Sequence, residues 1–133
     1  ACSEASDEEL KRIAGIEAEM RRISDSAEPL VFFSRDMAFH SAIVAASGNL
    51  PLQETHATYN ARLWRARFIS SRRRVNRSKA LNEHRSVAEA LLARDKEAVA
   101  KALKSHLETG FANICKAKAE SESGEKSNGK SGT

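Results

Sequence analysis

Asp36-Met37-Ala38-Phe39-His40 sets a carboxylate and an imidazole four residues apart within a long run that reads as amphipathic helix. At that spacing two side chains lie one above the other on the same helical face. His84 and His106 follow further along, each on the apolar stripe of a different predicted helix. An aspartate and three inward histidines from three helices could converge on one metal ion, so the stretch points to an all-α bundle with a site inside it.

The segments on either side support that reading. Upstream, Ser6-Asp7-Glu8-Glu9 has the form of a capping box, and Leu10, Ile13, Ile16/Gly15, Met20 and Ile23 follow at helical spacing. This predicts a first helix over 7–23, and since so little precedes it, the natural protein is expected to continue upstream of Ala1. Pro29 suits the first turn of a second helix, where its missing N–H costs nothing. That helix should run to about Ser47, with Phe32/Phe33, Met37 or Asp36, His40, Ile43 and Val44 on its inner face, and Gly48-Asn49 should stop it.

Pro51 opens a third predicted helix over 51–71, with Leu52, His56, Tyr59, Leu63 and Ala66 as its inward stripe. A fourth, from about 76–78, carries Leu81, His84, Val87/Ala88 and Leu91. Arg94-Asp95 breaks it, and Asp95 can cap a fifth that holds Val99, Leu103, His106, Gly110 and Ile114. From about Lys118 the sequence turns to Ser, Glu, Lys and Gly, a composition that buries too little apolar area to fold. The expected organisation is therefore one domain over 1–117, an antiparallel bundle of about five to six helices with short connections, and a disordered tail over 118–133.

Composition excludes several other classes. With 133 residues and 41% hydrophobic content the chain can bury a core. No apolar run reaches the roughly 18 residues that a membrane span needs, and no basic-then-apolar leader opens the sequence. Cys2 and Cys115 form neither a CxxC pair nor a disulfide framework, so a reducing cytoplasm is the expected compartment. The net charge of +4 permits nucleic-acid contact without demanding it.

Imidazole suits Zn, Ni, Cu and Fe, and a carboxylate adds charge neutralisation. Four protein ligands can close a tetrahedral zinc site, or leave open positions on an ion that takes five or six. A histidine on an apolar face is by itself more often a hydrogen-bonded core residue than a ligand; the coincidence on three helices is what raises the metal reading. His56 is read as structural or partly exposed. Three rivals remain in view: a metalloenzyme, a metal-free helical binding module, and a nucleic-acid module built on the arginines from Arg62 to Arg77. An enzyme needs a general base near the ion, and Glu83, beside His84, points about 100° away from it on a helix. The arginine segment, with only Trp64 and Phe68 as aromatics and no reader motif, reads as a charged helix end.

The ordered set Asp36-Met-Ala-Phe-His40, Ser47-Gly-Asn49, Glu83-His84 ahead of Val-Ala-Glu-Ala-Leu-Leu-Ala-Arg-Asp95, and then His106 resembles the FCD domain of GntR-type bacterial transcription regulators, the FadR subfamily. The resemblance covers roughly residues 7–116. It implies an all-helical, non-enzymatic domain that binds a small carboxylate effector and forms a homodimer, with DNA contacted only through a separate N-terminal winged helix-turn-helix. That segment is not in this sequence, and most of the family's first helix is missing too. The resemblance further implies that Asp36, His40, His84 and His106 hold a divalent metal ion: zinc first, with nickel, manganese or iron as alternatives. Arg67, with Tyr59 and Arg62, is expected to meet the effector at the rim, where an arginine could hold a second carboxylate by paired hydrogen bonds.

Overall fold

A computed structural model describes residues 1–128, with residues 74, 75 and 125–128 described by their backbone alone. Five helices account for the elements, in the order α1 (Asp7–Ile23), α2 (Pro29–Ala46), α3 (Leu50–Ser71), α4 (Arg74–Leu92) and α5 (Lys96–Asn128), with no strand among the described residues. The all-α reading holds.

Local chemistry sets the boundaries. Ser6 and Glu9 close the capping box in both directions, with Glu9 N–H donating to Ser6 Oγ at 3.1 Å and Ser6 N–H to Glu9 Oε2 at 2.8 Å. α2 starts at Pro29 and stops before Gly48, whose φ of 68° lies in the left-handed region that glycine enters without steric cost. Asn49 caps α3 by accepting the Leu52 N–H. The end of α4 is a Schellman turn: Asp95 N–H reaches Ala90 O and Arg94 N–H reaches Leu91 O. Arg94 takes the left-handed position, φ 53°, that such turns usually give to glycine. Asp95 then accepts the Ala98 N–H and opens α5.

The helices form a closed ring, each against the next in the order α1, α2, α3, α5, α4 and back to α1, while α3 touches α4 only slightly. The apolar core fills the side of the ring bounded by α1, α2 and α4, with Leu10, Ile13, Met20, Phe32, Phe39, Ile43, Leu81, Val87 and Leu91 buried, and α5 adds Val99. Burial of such side chains is worth roughly 1.5–3 kcal/mol each before the entropy of ordering is counted. Arg77 fastens the α1–α2 link to α4. It is buried, its Nη1 donates to the carbonyls of Ser24 and Ala27, and its guanidinium lies 4.3 Å from the centre of the Phe32 ring.

Two expectations need correction. α3 does not turn Leu52, Tyr59 and Leu63 inward; they are 46%, 59% and 44% exposed, and Ser70 is the one residue of this helix that is fully buried. His56 and Ala66 of the expected stripe are half-buried, and they are joined there by Asn60 and Arg67, because the interior is polar beside α3 and apolarity no longer marks the inner face. α5 also continues through Asn128, into the segment expected to form a tail from 118. Helix formation needs no core where good helix formers such as Ala117, Lys118, Ala119 and Glu120 follow one another. The ion pair of Arg73 with Glu120 also ties the extension to the α3–α4 link. Residues 129–133 of the expected tail lie outside the described residues.

Candidate metal centre

Backbones of α2 and α4 do not approach each other closely across the ring, nor do those of α2 and α5. Side chains span the gap. Asp36 and His40 extend from α2, Glu83 and His84 from α4, and His106 from α5. His40 Nε2 and His84 Nε2 each lie 3.2 Å from Asp36 Oδ1. His106 Nε2 lies 3.2 Å from both His84 Nε2 and His40 Nε2.

These four atoms close a ring. Every neighbouring separation is 3.2 Å, a spacing at which adjacent donors can share one small cation at bonds of about 2.0–2.2 Å. Three facing imidazole nitrogens cannot all satisfy one another with single protons; a cation at the centre gives every lone pair the same partner. The donor set therefore fits a divalent ion, and the three histidines could hold one.

Neighbouring groups fix the ligands in place. His84 is fully buried, its ring stacked on Phe39 with centroids 4.4 Å apart. His106 Nδ1 lies 2.7 Å from Glu83 Oε2. A proton on that nitrogen donates to the carboxylate and leaves the Nε2 lone pair turned toward the ring, the arrangement by which metal-binding histidines are commonly oriented. Sequence spacing predicts that Glu83 faces away from the site; it instead turns toward His106 and lines the cavity beside the cluster, without joining the four-atom ring. Its role as a support for His106 follows from the crossing of α4 and α5, which sequence spacing does not reveal.

The electrostatics agree with this arrangement. Burial pushes the Asp36 carboxyl up, but hydrogen bonds from His40 and His84 outweigh it and hold the group well below its ordinary range. Burial drives His40 down to about 4 against the opposing pull of Asp36. His106 is lowered by burial and by the neighbouring His84, with Glu83 acting the other way. Neutral imidazoles around an ionised carboxylate are the protonation states that metal binding requires.

A cavity of about 90 Å³ opens beside the cluster, lined among others by Asp36, His40, Arg67, Glu83, His106 and Asn113. On the same measure one water needs roughly 10–15 Å³, so there is room for about half a dozen heavy atoms, a small metabolite rather than a long acyl chain. Arg67 reaches this wall and donates from Nη1 to Asn60 Oδ1 at 2.7 Å. Asn60 lies in turn 3.3 Å from His56 Nδ1, so His56 belongs to a half-buried polar row on α3. Tyr59 and Arg62 are not brought to this cavity. Tyr59 is exposed, and Arg62 lines a separate hollow between α3 and α5 with Arg65, Ile69, Ile114 and Lys118.

The fold and the cluster together define a class: a helical domain that closes around a buried, histidine-rich cluster able to hold a cation, with a small cavity beside it. The model of the FCD domain family matches residues 1–109, and the chain belongs to that family. The FCD domain is a regulatory domain of GntR-type regulators. Comparison with curated proteins and with solved structures gave no match. No helix among the described residues is long and apolar enough to cross a membrane.

Proposed function

We propose that this chain is the effector-sensing domain of a GntR/FadR-type transcription regulator. In this reading Asp36, His40, His84 and His106 hold a divalent metal ion, zinc before nickel, manganese or iron, and a small carboxylate metabolite docks beside it. The observation that carries the reading is the closed 3.2 Å ring of one carboxylate and three imidazole atoms on the wall of a small cavity. A bound ion supplies a Lewis-acid position for a carboxylate oxygen. Arg67 supplies a second anchor across the cavity, since an arginine fork has five donors and one of them already serves Asn60.

Ligands on α2 meet those on α4 and α5 across a gap that their backbones do not bridge, so occupancy of the site changes how firmly α2 is held to the α4–α5 pair. That is the physical means by which binding could bias one arrangement of a homodimer over another, to the extent that the effector binds the two with different affinity. Operator DNA is then contacted through a winged helix-turn-helix on the N-terminal side. Metal analysis of the purified chain, with a thermal-shift screen of small carboxylic acids, tests the reading. Wild type should carry about one equivalent of metal and respond to some of the acids, and His106→Ala should do neither. Equal metal content in the two proteins would rule the site out.

A further inference from the structure

Glu83 has two oxygens in different situations. Oε2 receives His106 Nδ1 at 2.7 Å. Oε1 is buried and has no hydrogen-bond partner among the described residues, although Glu83 lines the cavity beside the four-atom ring. A buried carboxylate oxygen left without a donor costs more than the hydrogen bond it would make, so such an atom on a ligand cavity marks where a donor from the ligand belongs. The cavity is otherwise well supplied with donors: Arg67, Asn76, Asn113 and Thr109 all line it. These suit the oxygens of an acid. Glu83 and Asp36 are the acidic side chains on the lining; Asp36 Oδ1 also lacks a well-aligned hydrogen bond, but it is one of the four ring atoms, 3.2 Å from His40 and His84 Nε2 where a cation would sit.

We propose that Glu83 selects the effector: Oε1 accepts a hydrogen bond from a hydroxyl of the bound acid while Oε2 keeps His106 oriented, so the cavity prefers a hydroxycarboxylate to the same acid without its hydroxyl. The inference rests on the cavity being the carboxylate pocket of the proposed function, and adds the residue that reads the rest of the molecule. One side chain thereby joins ligand and metal ligand. A hydroxyl drawn to Oε1 polarises the carboxylate that holds His106, and the fit of the effector is communicated to the cation site through a single residue.

The test uses the metal-loaded chain and two pairs of probes, lactate against propionate and malate against succinate, with affinities from calorimetry on wild type and Glu83→Gln at saturating metal. In wild type the hydroxy acid of at least one pair should bind about tenfold or more tightly than its partner, since the deoxy acid leaves Oε1 unsatisfied. In Glu83→Gln the amide must turn its oxygen to His106 Nδ1–H and its NH2 toward the ligand, where it can only donate to the hydroxyl oxygen in place of a charge-assisted bond, so the preference should fall several-fold with both acids still bound. Metal affinity should drop about ten- to a hundredfold in the variant, and nitrogen-15 spectra of the metal-free protein should show the Nδ1–H tautomer of His106 less fully populated than in wild type, since an amide oxygen is the weaker acceptor. Equal affinity within both pairs in wild type, or a preference undiminished by Glu83→Gln, would overturn the proposal and leave the carboxylate pocket standing. Failure of metal-loaded wild type to bind any of the four acids would count against the pocket as well. Circular dichroism confirms that the variant is folded, and a wild-type ratio near unity overturns the proposal even if it is not.

Discussion

Phe39 lies stacked on His84, ring centroids 4.4 Å apart and planes tilted by 27°, with neither residue exposed to solvent. The apolar core and the polar cluster therefore share a wall, and the least mobile imidazole of the site is held by a core side chain three residues from Asp36. Replacing Phe39 by Leu keeps an apolar residue but removes the flat face. We expect a stability loss of about 1–2 kcal/mol from imperfect filling, smaller than the 3–5 kcal/mol typical of a buried Phe→Ala change. Metal affinity should fall several-fold as His84 gains rotational freedom. Chemical denaturation and metal competition on the same preparation check both; unchanged metal affinity with lowered stability would show that the stacking supports the core alone.

Removing the metal should loosen the ring at one place. A ligand that binds only the folded state stabilises it by about 2.7 kcal/mol at a hundredfold excess over its Kd, and for a domain of this size that corresponds to a Tm change of about 5–10 °C. Chelation should lower the Tm of wild type by that amount, and readdition of zinc should restore it. His106→Ala should show no response to either, since one of three histidines is gone. A chelator-insensitive wild type would argue that the cluster is held by hydrogen bonds alone.

In the metal-free protein the cluster should also make stability depend on pH. His40 titrates at about 4 in the folded chain against an ordinary 6.5, so above pH 6.5 folding does not change its protonation. Between 6.5 and about 4 the unfolded chain takes up a proton that the folded chain refuses. The free energy of unfolding should fall across this window by up to about 3 kcal/mol for the single group, and level off below it. Asp36, held well below its usual range, adds a further loss only under more acid conditions. Urea melts from pH 7 to 4 measure the slope, and His40→Gln should remove the His40 share of it, leaving that of His106, which burial also lowers.

Much of this was legible in the chain itself, and the parts that were not share a cause. Capping chemistry at Ser6 and Glu9, proline at the start of α2, and Gly48 at its end are local, and the helices begin and end close to where those residues place them. The histidines were legible because an imidazole on an apolar stripe stands out. Tyr59 was misplaced because apolarity was taken as the sign of the inner face of α3, whereas that helix borders a polar cavity and turns Asn60 and Arg67 toward the interior. Glu83 and Arg77 act on groups far away in sequence, His106 for one and the Ser24 and Ala27 carbonyls for the other, and helical periodicity carries no information about such crossings.

Arg94 illustrates the same limit and can be tested directly. Its backbone occupies the left-handed position of the Schellman turn, where glycine is favoured over other residues by about 1 kcal/mol. Its side chain donates to the carbonyls of Cys2 and Ala5 and pairs with Asp7, holding the segment before α1 against the end of α4 and lowering the Asp7 carboxyl. Arg94→Ala loses the clamp and keeps the strain, whereas Arg94→Gly loses the clamp and relieves it. The glycine variant should therefore be the more stable of the two by about 1 kcal/mol, and its position relative to wild type measures what the clamp contributes. In both variants the Ala5 amide, which donates to Ala1 O at 2.9 Å, should exchange with solvent faster than in wild type. Equal stability of the alanine and glycine variants would mean that the turn relaxes out of the left-handed conformation once the arginine is gone, and that the clamp, rather than the helix end, sets the backbone at this position.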